Sequence, residues 1–152
     1  MNSRKRMELW GRLETDANNA WHTQLSEVER VKNSLEGLRQ NVGQLTELRK
    51  GYQEQISQSS NETIDQFKFI RIREFLSALD RTLDQARNQE KLLSESLQKA
   101  QHDSKLLMLQ KKKYGYLKEK HQKTIQKFSL AQEQRDLDQL ATRGFNLNSE
   151  TP

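Results

Sequence analysis

The sequence predicts an all-α protein, a long antiparallel two-helix coiled-coil hairpin, and three observations carry that reading. Only 32% of the 152 residues are hydrophobic, well below the roughly 45–50% of ordinary globular domains, so no thick core can organise the chain. One proline at the extreme C-terminus and six scattered glycines leave the chain almost unpunctuated, while Leu, Gln, Glu, Lys and Arg dominate, as they do in long helices. The apolar residues recur in heptads that break once, over a short polar stretch.

The first helix is expected over residues 4–57. Stepping by seven from Trp21 gives Val28, Leu35, Val42 and Ile56, with Arg49 the single polar member; the partner row is Ala17, Val31, Leu38, Leu45 and Tyr52, with Gln24 its exception. Two rows sustained for more than five heptads are a coiled-coil seam and not merely an amphipathic face. Periodicity stops at Ser57-Gln58-Ser59-Ser60-Asn61-Glu62, so a turn is expected over 58–63. Thr63 and Gln66 have the spacing of a capping box, in which the hydroxyl accepts from an orphan N–H and the amide reaches back to the cap.

The second helix is then expected over 64–141. Its rows pass through Ile72, Leu79, Ala86, Leu93, Ala100, Leu107, Tyr114, His121 and Phe128, and through Leu76, Leu83, Leu97 and Ile125. Gly144 reads as a C-terminal stop, with a flexible tail over 144–152, so residues 1–143 form one hairpin. One short turn between two long helices makes them antiparallel. The second helix outlasts the first by roughly twenty residues at about 1.5 Å each. That overhang keeps Ile125, Phe128, Leu130, Leu137 and Leu140, which a solvated helix has no reason to carry, so a partner is expected to cover it.

Composition excludes several function classes. The longest apolar run, Leu106-Leu107-Met108-Leu109, is far short of the roughly 20 residues that cross a bilayer, so direct membrane insertion is not expected. Arg4-Lys5-Arg6 imitates the start of a secretion signal, but Glu8, Arg12, Glu14 and Asp16 deny it an apolar segment; a cytoplasmic location is expected. Without cysteine there is no disulfide, thiolate nucleophile or Cys-based metal site. A two-helix hairpin offers no water-poor interior for catalysis, and three scattered histidines do not supply the four ligands of structural zinc. No catalytic residue, cofactor or metal is expected.

Two surfaces point instead to partners. Residues 104–128 hold eight lysines, Lys105, Lys111, Lys112, Lys113, Lys118, Lys120, Lys123 and Lys127, against Glu119 alone, about +7. An acidic protein surface is the favoured occupant; a basic coiled-coil module for nucleic acid is the alternative, weakened by the lack of interleaved aromatics and of a base-reading helix. Near the turn, Leu48 lies off the seam, and Phe67, Phe69, Ile70 and Phe75 crowd the start of the second helix, more apolar surface than one hairpin buries. These residues either cap the end of the hairpin or form a docking face.

Leu45 and Tyr52 before the turn, the Phe75-Leu76-Ser77-Ala78-Leu79-Asp80 segment with Leu83, and the closing Leu137-Asp138-Gln139-Leu140-Ala141-Thr142-Arg143 together resemble the FliJ proteins of the bacterial flagellar type III export apparatus, over residues 20–143. The resemblance implies a coiled-coil stalk similar to the rotor of rotary ATPases, with its paired ends inserted into the hexameric export ATPase FliI. Phe128, Leu137, Leu140 and Arg143 would then form the inserted tip. It also implies docking to the export-gate membrane protein FlhA through Leu45, Leu48, Tyr52, Phe75, Leu79, Thr82 and Ala86; at Leu48, Thr82 and Ala86 related chains carry aromatic or larger polar residues. Escort of export chaperones and peripheral association with the inner membrane belong to the same implication, and nucleic acid does not. The equivalent stalk of a virulence injectisome shares every physical feature named.

Overall fold

The structure is a computed structural model and describes residues 2–59 and 66–150. Among the described residues two helices make up the fold, α1 over Ser3–Ser59 and α2 over Gln66–Glu150, packed against each other as an all-α helical hairpin. Gln58 and Ser59 still belong to α1. The centre of the expected turn, and Thr63 of the expected capping box, lie outside the described residues.

The expected end of the second helix near residue 141 is corrected: α2 runs through Gly144 to Glu150. A glycine ends a helix by taking a left-handed backbone at the cap, and no described residue has a positive φ. Gly144 is therefore an ordinary helical residue.

The chain divides into two units, one of Thr23–Ser104 and one of Met1–His22 with Lys105–Pro152. In the first, rising numbers on α1 meet falling numbers on α2: Arg39 Nε donates to Glu90 Oε1 at 3.0 Å, and Arg49 Nε donates to Asp80. Its core is a single file of side chains, with Val31, Leu35, Leu76, Leu79, Leu83 and Ala100 buried. Leu25 and Leu92, off the file, are exposed. Both polar exceptions in the α1 rows find partners on α2. Gln24 Nε2 donates to the Ala100 carbonyl at 3.1 Å, and Arg49 pairs with Asp80. A polar group inside a seam is costly unless bonded, so each tolerates few alternative alignments.

In the second unit the same rows extend back to the N-terminus. Ala17 is buried, and Trp10 stacks on Tyr114 with ring centroids 5.9 Å apart. The Tyr114 hydroxyl accepts from Gln110 at 3.1 Å. Lys111 lies over the Trp21 ring at 5.1 Å, a cation–π contact, and Lys118 approaches Glu14 at 3.7 Å. Pairing ends at Ile125, and every residue from 126 to 146 is exposed. Phe128, placed by its spacing on the seam row, is 70% exposed, because no α1 side chain faces it there.

Leu83, only 2% exposed, makes a sharp test of the seam. Leu83→Ala is expected to cost about 2–5 kcal/mol in urea unfolding, within the range for buried leucines, whereas Leu92→Ala, 63% exposed, stays within about 0.5 kcal/mol of the parent. Gly144→Ala, whose new Cβ meets nothing within 4 Å, is expected to raise the helicity seen by circular dichroism, since alanine is favoured over helical glycine by about 1 kcal/mol; a loss of helicity would restore the stop.

Candidate protein-docking surfaces

The two sides of the Thr23–Ser104 unit are chemically different. On one side Thr46, Arg49, Lys50 and Gln53 of α1 line a shallow groove with Asp80, Asp84 and Arg87 of α2. Its centre is the Arg49–Asp80 ion pair. The hydrogen bond to Asp80, and then the charge of that carboxylate, push the Arg49 pKa above its already high ordinary value, so this cation does not discharge.

The other side is apolar. Tyr52 and Phe75 meet across the helices with ring centroids 4.8 Å apart. Leu45 and Leu48 precede Tyr52 by seven and four residues, and Thr82 and Ala86 follow Phe75 by seven and eleven, spacings that keep each set on the flank of its own helix. Six of the seven residues that the family resemblance implies for gate docking are therefore on one side. Leu48 and Phe75 are exposed by 43% and 41%, Thr82 is exposed, and Leu45, Tyr52 and Ala86 are half-buried. Leu79 is the exception at 6% exposure; it belongs to the seam and supports the surface from beneath. Phe67 and Ile70 add further exposed apolar area, while Phe69 is half-buried with the Arg73 guanidinium 5.6 Å from its ring centre.

The other predicted set lies on the part of α2 beyond the pairing. Phe128, Leu137 and Leu140 are all exposed, and so is Arg143. They do not share one face. At about 100° per residue, Phe128, Arg143, Leu140 and Leu137 follow one another in steps of about 60°, so a partner that touches all four wraps about half of the helix. Asp136 and Asp138 accept weak hydrogen bonds from Gln132 and Gln134 within the segment. Among the lysines preceding it, the structure exposes Leu109 and Tyr116.

Cross-helix pairs are not legible in the sequence. Arg39–Glu90 and Glu14–Lys118 need the register, which heptads alone do not fix, while the Trp10–Tyr114 stack is signalled by Trp10 lying seven before Ala17. Among the described residues, no group of three or more His, Cys, Asp or Glu could hold a metal, and no helix is long and apolar enough to cross a membrane.

Two substitutions separate support from surface. Leu79→Ala is expected to cost about 2–5 kcal/mol of stability, and Phe75→Ala only about 1 kcal/mol, in proportion to the area it keeps from water. Denaturant midpoints of both variants check this, and equal losses would make Phe75 a core residue.

A family model described as "Flagellar FliJ protein" matches residues 5–150 of the chain. No curated protein and no solved structure matches it.

Proposed function

The chain belongs to the FliJ family and is a component of the flagellar export apparatus, and from that premise we propose that it is a non-enzymatic stalk coupling the export ATPase to the export gate. The observation that carries the reading is the stretch of α2 beyond the pairing, where residues 126–145 are helical and exposed and keep Phe128, Leu137 and Leu140. Exposed large apolar side chains mark an interaction site. Their spread over about half of the circumference suits a partner that wraps the helix, such as the bore of a hexameric ATPase. Apolar contacts would hold the tip there, Arg143 would pair with acidic groups of the ring, and the lysines of 105–127 would speed its approach to an acidic surface by steering.

The second contact is the apolar flank of the Thr23–Ser104 unit. Leu48, Tyr52 and Phe75 offer an aromatic and aliphatic anchor of the kind that dominates protein interfaces, with Leu45, Thr82 and Ala86 around it and Leu79 behind. An FlhA-like gate protein is the partner this reading assigns to it. Export chaperones are further cargo of the same stalk, which would work in the cytoplasm beside the inner membrane.

Hydrolysis and ring assembly by the cognate ATPase test the tip. The full chain is expected to raise both, and a chain ending at Lys127 to raise neither; equal effects would remove the tip from the mechanism. At the gate, Phe75→Ala is expected to weaken binding roughly tenfold, or about 1.4 kcal/mol. Unchanged affinity would remove this flank from the gate contact.

A further inference from the structure

A second heptad row runs along α2 on the face turned away from the seam. Leu109, Tyr116, Lys123, Leu130 and Leu137 follow one another at intervals of seven. Leu109, Tyr116, Lys123 and Leu130 lie two residues beyond Leu107, Tyr114, His121 and Phe128 in turn, about 200° around the helix. Its apolar members are 50%, 66%, 64% and 59% exposed in chain order. The row begins beside the paired part of α2 and continues without a break past the end of the pairing, so Leu130 and Leu137 extend this outward row and not the seam.

Two properties say what covers it. The row is a palindrome in kind about Lys123: two apolar residues, a lysine, two apolar residues. A two-fold axis that sets α2 antiparallel to α2 of another copy at Lys123 places Leu109 opposite Leu137 and Tyr116 opposite Leu130, so every apolar member meets another; it also sets Lys123 opposite Lys123, each ammonium lying 3.4 Å from Glu119 of its own chain. The same axis brings each flank against its own copy, as in antiparallel coiled coils. On one flank Lys112 then faces Glu133 and Glu119 faces Gln126; on the other, Leu106 faces Ala141 but Lys120 faces Lys127. An anionic bilayer or a nucleic acid would account for the lysines alone, yet the row runs on past Lys127 to Leu130 and Leu137, with Glu133 and Asp138 beside them, which a polyanion repels.

We propose that this outward face of α2, over residues 106–141, pairs two copies of the chain antiparallel about Lys123. Each copy supplies the same patch, so the contact closes on itself and stops at a dimer. The like-charged Lys120 and Lys127, and Lys123 against its own copy on the axis, keep it weak, and Leu137 is shared with the tip assigned above to the ATPase, so a chain paired this way cannot also offer that tip to a ring.

The test uses the full chain alone, so its outcome is independent of the ATPase. Sedimentation velocity from roughly 1 to 100 μM is expected to show a reversible dimer of micromolar affinity. Leu130→Lys is expected to weaken it at least tenfold. Lys120→Glu is expected to tighten it several-fold, because each copy exchanges a lysine–lysine contact for a carboxylate facing Lys127. Because the chain has no cysteine, orientation can be read directly: Lys123→Cys should oxidise to a covalent dimer, while Leu109→Cys alone should not. A chain that stays monomeric at 100 μM overturns the proposal, as does a dimer weakened by Lys120→Glu, or one that Leu109→Cys cross-links as well as Lys123→Cys. A monomer that binds vesicles of anionic phospholipid and loses them on Lys120→Glu would assign the face to a membrane surface instead.

Discussion

The structure depends on a seam one side chain wide. With a third of its residues apolar, the chain buries hydrophobic surface along a line and not in a volume, and even Leu83 retains a trace of exposure. Each leucine closed into such a line contributes about 1.5–3 kcal/mol, against an ordering cost of the order of 1–2 kcal/mol for every backbone residue fixed. Helices this long persist because propensity supplies a favourable background over their whole length and the seam adds to it turn by turn.

Apolar rows of equal spacing would accept a slip of one heptad with little penalty, so alignment has to come from what is not apolar. Gln24 reaching the Ala100 carbonyl, Arg39 with Glu90, and Arg49 with Asp80 are such points in the Thr23–Ser104 unit. The ion pairs are exposed and add little stability each. Their value lies in what a slip of one heptad would do to them, leaving Gln24 beside Leu93 or Leu107 and Arg49 beside Arg73 or Arg87. The register in turn sets which side chains share a flank, and so brings Tyr52 against Phe75.

Helices, seam rows and the exposed segment beyond the seam are legible in the sequence, because a period of 3.5 is written directly in residue types. Gly144 misleads because a glycine signals a stop only through its backbone angle, which composition does not report. Likeness to a family puts Leu79 among docking residues, although its spacing already puts it in the seam; burial decides between the two. Phe128 counts with the seam because its spacing from His121 is correct, but spacing places a residue on a face and does not supply a partner for that face. For the same reason the outward row stays hidden in the sequence: Leu130 and Leu137 pass for leftovers of the seam, and only exposure of Leu109 and Tyr116 along the same line joins them to it.

The run of α2 beyond the pairing also divides the second unit in its resistance to opening. Where Trp10, Trp21 and Ala17 cover α2, an amide can exchange its proton only after the pairing is broken, whereas beyond Ile125 each turn is held by backbone bonds and local propensity alone. An isolated helix of about 12–15 residues is marginal in water, and the 25 residues from Gln126 to Glu150 are no more than about twice that. Whatever grips the tip therefore acts on amides that open readily before it arrives, and slowed hydrogen exchange from Gln126 onward would register its grip without any readout of turnover.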